Sequence, residues 1–381
     1  MFRFLHIADL HLGWEPAFLD PKRARERRSR RDKVLEQAVD FALASELQLV
    51  VIAGDLFETH RPEPTLVQHV LAQLRRLEEA GVAVVTTPGN HDEITYADSV
   101  YHQAKAEWPG LLVINPLAEH VGTFELGGEK VFLYSLAYTG GVTPAHRPLA
   151  GFPRLDADGF HLAVFHGTLG SGDERSLPLD RAALQAAGYD YVALGHIHLP
   201  GEIELGRTKV VYSGCQEGKG FDDAGVPYWT VVSSDGVSSS GVSGGGGRCE
   251  VTREPLEIQR IHVEELDLTH FEAVEEISAG IEELAHEDAM VRLRLVGSLH
   301  FPLDPDELLS RYSHRFYHLE IRDDSDSVGA DLLDEWAAEK TIRGTFVRRM
   351  RETLDRAETS EQRRTAVRAL RYGIRAFRRA G

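Results

Sequence analysis

Five short segments carry side chains able to bind a metal or move a proton: Asp9-Leu10-His11, Gly54-Asp55, Gly89-Asn90-His91-Asp92, His166-Gly167 and Gly195-His196-Ile197-His198. Each alone is a weak signal. A lone Asp-x-His after a strand is usually a cap or a turn, Gly-Asn favours tight turns, and a lone His-x-His is commonly a surface pair. Their joint occurrence, each directly after an apolar run that reads as a strand, is a far stronger one. The donors are oxygen and imidazole. Two cysteines, Cys215 and Cys249, are too few for a thiolate zinc site or a disulfide framework.

Such a donor set suits a two-metal hydrolytic centre. Two divalent ions about 3.5–4 Å apart can activate a water between them and stabilise both oxygens of an in-line displacement. Like charges held that close need an anionic bridge, and Asp55, short and preceded by Gly54, suits that role. The remaining ligands divide into Asp9, His11 and His198 for one ion and Asn90, His166 and His196 for the other. Mixed oxygen and imidazole donors favour manganese, the first expectation, or iron, with zinc also possible. His91 follows a ligand and must point elsewhere, which places it to give a proton to the leaving oxygen. Asp92 has two readings: it orients His91 and raises its pKa, or it is a carboxylate that stabilises the turn.

Elements of alternating type must position these residues. Strands are expected over Arg3–Ala8, Leu47–Ala53, Val82–Thr87, Leu111–Ile114, Lys130–Leu136, His161–Phe165, Tyr191–Leu194 and Val210–Tyr212, and helices over Arg30–Leu43 and Thr65–Ala80, the second closed by Gly81. That alternation predicts an α/β fold with its ligands bound beyond the carboxyl ends of strands. Domains are expected at 1–255, 256–328 and 329–381, with a flexible loop at about 233–247 (SSDGVSSSGVSGGGG). Arg253–Val263 reads as one strand. The middle domain combines helices at His270–Ala285 and Pro305–Tyr312 with strands at Val291–Val296 and Tyr317–Arg322. The last is helical, with apolar Phe346, Met350, Leu354, Val367, Leu370, Ile374 and Phe377 at helical spacing.

Length and composition fit this plan. The 381 residues exceed one ordinary core. No apolar run approaches a membrane span, and Met1–Trp14, with Asp9 and His11 inside it, is not a signal peptide, so the cytoplasm is the expected compartment. The net charge of −18 argues against indiscriminate nucleic-acid binding. Its distribution softens that: Lys22–Lys33 reads KRARERRSRRDK, and Lys340–Gly381 holds 13 Lys or Arg against 4 Asp or Glu. The first segment is either a phosphate contact or a solvated helix start. The tail's arginines suit DNA or an acidic partner helix, and the apolar stripe between them favours the helix.

These five segments, in this order, resemble the calcineurin-like metallophosphoesterase superfamily. Asp9, His11, Asp55, Asn90, His166, His196 and His198 match its metal-ligand positions and His91 its general acid. The resemblance implies a four-layer sandwich of two β-sheets flanked by helices. The flanking text resembles SbcD-type DNA repair exonucleases: FRFLHIADLHLG, LVVIAGDLFETHRP, TPGNHD, VALGHIH and VYSGCQEGKGFDD. By that resemblance residues 256–328 are a small α/β capping domain. The C-terminal helices would dock on the coiled-coil base of an SMC-like ATPase of SbcC type, and a homodimer is implied. Two positions depart from the pattern. Glu58 stands where some members have a histidine on the substrate phosphate, and Cys215 where serine is common. His60 and Arg61 are candidate substrate contacts, His60 being either a substitute for that histidine or an exposed loop residue.

The leading functional reading is a metal-dependent DNA nuclease working with an ATPase. The alternative is a phosphoesterase on nucleotides or other small phosphate esters, which the same centre would serve. A scaffold that has lost catalysis is disfavoured by the intact Asp9, Asn90 and His91.

Overall fold

The computed structural model describes residues 1–140, 149–170, 176–224, 227–234, 249–271, 273–297, 303–325, 330–357, 359, 362, 365–366, 369–370, 372–374 and 376–377. It divides into two units, Met1–Ile258 and Gln259–Gly381. In the first, the strands are β1 (Arg3–Ile7), β2 (Leu49–Ala53), β3 (Ala83–Thr87), β4 (Leu111–Leu112), β5 (Glu119–Leu126), β6 (Glu129–Ser135), β7 (Phe160–His166), the short pair β8 (Thr168–Leu169) and β9 (Pro178–Leu179), β10 (Tyr191–Gly195), β11 (Gly201–Leu205), β12 (Thr208–Tyr212), β13 (Tyr228–Ser234) and β14 (Cys249–Pro255). The helices are α1 (Pro21–Arg31), α2 (Val34–Ala44), α3 (Pro64–Glu79), α4 (Val100–Gln103) and α5 (Arg181–Ala187).

Two six-stranded sheets result, in the orders β14-β13-β1-β2-β3-β4 and β11-β12-β10-β7-β6-β5. The central strands of both are parallel, so their carboxyl ends come out at one edge of each sheet. β2, β7 and β10 are buried along their whole length, as strands covered on both faces must be. One core lies between the sheets: Phe2 meets Phe160 edge-on at 5.3 Å and Phe4 meets Tyr191 at 5.4 Å. Each such buried aromatic contributes about 1.5–3 kcal/mol. α2 and α3 cover the first sheet through Leu35, Val39, Val70 and Leu74, and Leu184 of α5 packs on the outer face of the second. This is the α/β sandwich of two flanked sheets expected from the sequence.

Several expectations need correction. The predicted helix Arg30–Leu43 is divided: α1 ends at Arg31 and α2 begins at Val34, with Asp32 between them accepting the amide of Gly13 at 2.7 Å. The single strand Arg253–Val263 is two, β14 and a strand of the second unit; Pro255 has no N–H to carry the ladder on. Ser233 and Ser234, placed in the flexible loop, end β13, where the Ser234 hydroxyl accepts the Phe2 amide; the loop's remainder lies outside the described residues. β5 and β11 escaped the reading because both are half-exposed edge strands rich in polar residues.

In the second unit β15 (Ile261–Asp267), β16 (Met290–Val296) and β17 (His318–Asp323) form a parallel sheet. α6 (Val274–Glu283) and α7 (Pro305–Tyr312) supply the crossovers that parallel strands require. They bury Ile277, Ile281, Leu308 and Tyr312 against Val291, Leu293 and Leu295. α8 (Ala330–Ala338) and α9 (Ile342–Asp355) follow. Trp336, Val347, Leu370 and Ile374 are buried together, with Phe346, Met350, Leu354 and Phe377 packed around them. The apolar stripe assigned to a partner helix is therefore largely spent on this local core; Val367 lies outside the described residues. No described helix is long and apolar enough to cross a membrane.

Candidate metal centre

The site forms where turns leave the ends of β1, β2, β3, β7 and β10. These turns are unusually tight. Among the described residues, Asp9, His11, Asp55 and His196 hold positive φ angles of 57°, 47°, 50° and 91°, a region side-chain-bearing residues rarely enter and which persists where surroundings over-determine it. The surroundings here are specific. The amides of Asp9 and His11 donate to the carbonyls of Gly54 and Asp55 at 3.1 and 3.0 Å. The His196 amide donates to the Asp9 carboxylate at 2.9 Å, and the His91 amide to Asp55 Oδ1 at 2.8 Å. Gly54, at φ +91°, and Gly89 let these turns close, since a Cβ on the first would strike the His166 ring and on the second the Asp55 carboxylate.

Side chains from all five segments converge. Asp9, His11 and His198 present donor atoms within 4.8 Å of one another, as do Asp9, Asp55 and His166. Asp55 Oδ2 lies between the two groups, 3.7 Å from His11 Nε2 and 3.3 Å from His166 Nε2. Asn90 Oδ1 is 2.9 Å from both His166 Nε2 and His196 Nδ1. His11 and His198 face each other through Nε2 at 3.0 Å. Asp9 and His11 are fully buried, and Asp55 and His166 are 2% exposed.

This arrangement fits divalent cations. Two carboxylates buried among imidazoles carry a charge that protein atoms meet poorly. Burial pushes the Asp9 carboxyl up, against the pull of His166 and His198. Burial acts on Asp55 in the same sense, but His166 and His11 outweigh it and hold its carboxyl well below the usual range. On His166 burial works against the charge, yet Asp55 and Asp9 raise its pKa to about 9. A proton on His166 thus stands in for positive charge, while His11, lowered to about 4 chiefly by burial, stays neutral with a lone pair to offer. The outer nitrogens are already engaged: His166 Nδ1 donates to the Ala53 carbonyl at 2.9 Å and His198 Nδ1 to the Asp223 carboxylate at 3.0 Å. Such outer partners fix the tautomer and turn the other nitrogen toward a metal.

His91 stands beside this cluster, its ring 4.6 Å from that of His11 and 34% exposed. Its Nδ1 donates to the carbonyl of Glu58 at 3.3 Å, which leaves Nε2 for a substrate. Asp92 is engaged elsewhere. It accepts from the amides of Gly89 and Phe57 at 2.7 and 3.1 Å and from Tyr101 Oη at 2.6 Å, the interactions of the turn-stabilising alternative. His60 stacks on the exposed Tyr96 at 4.2 Å, and Arg61 pairs with Asp98 at 3.0 Å; neither is in the donor cluster. The basic segment Lys22–Lys33 is in the main a solvated helix, with Lys22, Arg25, Arg30 and Lys33 exposed, but two of its arginines turn inward. Arg27 and Arg31 are fully buried, and both donate to the Gly218 carbonyl at 2.9 Å.

Three further residues, Asp223, Glu58 and Lys219, complete the site. Asp223 holds His198. Glu58, noted only as a departure, approaches His11 Nδ1 to 2.9 Å, and Lys219 reaches Glu58 Oε2 at 2.7 Å. The GKGFDD text was the available signal for Lys219 and Asp223, but nothing in its composition tells which imidazole it would face.

A two-sheet sandwich with carboxylate and imidazole donors gathered at its strand ends defines a metallohydrolase. Residues 2–200 match the calcineurin-like phosphoesterase family, and the chain belongs to it. Members hydrolyse phosphoesters at a dinuclear metal centre. The uncharacterized metallophosphoesterase YhaO of Bacillus subtilis is 27% identical over 231 residues, 58% of this chain and 55% of its own length. The DNA double-strand break repair protein Mre11 of Haloferax volcanii is 28% identical over 304 residues, 78% of this chain and 62% of its own. Its counterpart in Halobacterium salinarum is 25% identical over 355 residues, 90% of this chain and 85% of its own. The chain thus spans 55% and 62% of the length of the first two.

Proposed function

We propose that this chain is a manganese-dependent nuclease that hydrolyses phosphodiesters of DNA in repair. One observation carries the choice of DNA over a smaller ester. Similarity to an Mre11 extends over 90% of the chain, and so runs past Ile258, where the phosphoesterase unit ends. A phosphoesterase on free nucleotides gives no reason for that second unit.

In this reading Asp9, His11, His198 and the bridging Asp55 hold one ion, and Asp55, Asn90, His166 and His196 hold the other. When bound, the pair supplies Lewis-acid polarisation of the phosphoester and a nucleophile at neutral pH. The chain's own part is to hold these donors in strained, buried turns and to seat His91 at the rim. Anchored through Nδ1 on the Glu58 carbonyl, His91 is the group that hands a proton to the leaving oxygen. His60 and Arg61 lie beyond it on the loop after Glu58, where they would meet the strand flanking the scissile phosphate. Residues 256–328 form a capping domain, the helical region 329–381 docks an SMC-like ATPase of SbcC type, and the assembly is a homodimer.

The test is turnover of linear double-stranded and single-stranded DNA against a panel of nucleotides and cyclic nucleotides, with manganese supplied. DNA cleavage well above nucleotide turnover supports the reading; turnover confined to the small esters overturns it. Removal of residues 330–381 is expected to abolish capture of the ATPase while leaving manganese uptake intact.

A further inference from the structure

The imidazoles on the two sides of the donor cluster, His11 and His198 against His166, are backed by groups of different charge. Around His11 and His198 a closed chain of contacts runs through two carboxylates. Glu58 Oε2 lies 2.9 Å from His11 Nδ1, an ion-pair approach without hydrogen-bond alignment, and accepts from Lys219 Nζ at 2.7 Å. The Lys219 amide donates to Asp223 Oδ2 at 2.8 Å, Asp223 accepts from His198 Nδ1 at 3.0 Å, and the two imidazoles meet through Nε2 at 3.0 Å. In the other half, His166 rests its outer nitrogen on a neutral backbone carbonyl, that of Ala53, at 2.9 Å.

That difference has a chemical consequence. An imidazole whose N–H points at a carboxylate is a better electron donor through its other nitrogen than one whose N–H points at an amide carbonyl, and outer partners of this kind weigh 10–100-fold in metal affinity. Lys219 joins the two carboxylates, one through its ammonium and one through its backbone amide, so the pair is placed as a unit. The loop carrying Lys219 and Asp223 is itself clamped at Gly218 by the buried Arg27 and Arg31.

Resting on the two-ion reading above, we propose that Glu58 and Asp223 are positioning residues that make the His11–His198 half the tighter of two unequal cation sites. The Asn90–His166–His196 half then fills second and empties first. Glu58 has a further connection, since its carbonyl anchors His91. The residue that tunes one metal site therefore also seats the group proposed to protonate the leaving oxygen.

Manganese binding to the chelator-stripped full chain, followed by titration calorimetry, tests this. The wild-type chain is expected to bind in two resolved steps, and Asn90→Ala to lose the weaker one. Glu58→Gln and Asp223→Asn keep size and shape. Each is expected to weaken the tighter step by about 10–100-fold while leaving the weaker step and the melting temperature of the metal-free chain unchanged. The inference is overturned by two indistinguishable steps in the wild-type chain, by both steps moving equally in the variants, or by neither moving. A wild-type chain that takes up no manganese sinks the two-ion reading itself; one that binds two ions with affinities insensitive to Glu58 and Asp223 sinks only this proposal.

Discussion

Tyr101 donates its phenolic proton to Oδ2 of Asp92 at 2.6 Å, with both side chains fully buried. Burial, then the nearby Asp55, pushes the Asp92 carboxyl up to about 6, and the hydrogen bonds from Tyr101, Gly89 and Phe57 oppose that rise. The carboxylate therefore depends on its donors to stay charged inside the turn that carries Asn90. Tyr101→Phe keeps the ring that meets Trp108 at 5.0 Å and removes only the donor. It is expected to cost about 1.5–3 kcal/mol, the range for a hydrogen bond to a charged group, read as a lower urea midpoint. An unchanged midpoint would mean that the remaining amide donors suffice.

His91 separates chemistry from metal holding. Its imidazole groups with His11 and Glu58 and not with the buried carboxylates Asp9 and Asp55, so on the role given to it His91→Ala should leave calorimetric manganese uptake as it is. The same change should lower kcat on DNA by about 10²–10⁴-fold, the usual contribution of a positioned proton donor. Loss of metal binding in this variant would instead make His91 a ligand and overturn the role given to it.

The catalytic half of the molecule was legible because its signals are local. A strand buried on both faces reads as an apolar run, and the turn residues follow it directly, as in Leu49–Ala53 before Gly54-Asp55. What stayed hidden is set by tertiary packing. Nothing in KRARERRSRRDK marks Arg27 and Arg31 as the two that turn inward, because the partners that accept them lie outside the segment: the Leu10 carbonyl for Arg31, and Glu217 and Gly218 nearly two hundred residues away. Likewise the apolar stripe of Phe346, Met350 and Leu354 is equally compatible with an external helix and with the local core it joins around Trp336. Asp92 could be read two ways for the same reason: Tyr101, which claims its carboxylate, is close in sequence but gives no sign of its direction.

His6 makes stability depend on acid. Its ring is fully buried, with Nδ1 2.9 Å from Tyr191 Oη, and burial lowers its pKa to about 3 from an ordinary 6.5. Between those two values the unfolded chain holds a proton that the folded chain refuses. The unfolded state then binds more protons, so stability falls as pH falls, by up to about 1.4 kcal/mol per unit. From pH 7.5 to pH 5 this one ring should remove about 2 kcal/mol. Urea denaturation of wild type and His6→Gln at both pH values isolates the effect, since the other titrating groups are common to the two chains. Equal losses in both would show that the ring titrates normally.

Arg27 and Glu217 form an ion pair at 2.6 Å with side chains 1% and 2% exposed. Taking both charges out of water costs several kcal/mol per ion, and their attraction roughly repays it, so the pair as a whole is no large source of stability. Removing one member is different, because it strands the other. Arg27→Met is expected to destabilise by about 3–5 kcal/mol, and Arg27→Met with Glu217→Leu to recover much of that, since no unpaired charge remains. Chemical denaturation of the two single variants and the double closes the cycle. A double variant as unstable as the sum of the singles would mean that the guanidinium matters through the Gly218 carbonyl alone. Its value would then lie in holding the loop that brings Lys219 and Asp223 to the metal centre, and not in the charge it shares with Glu217.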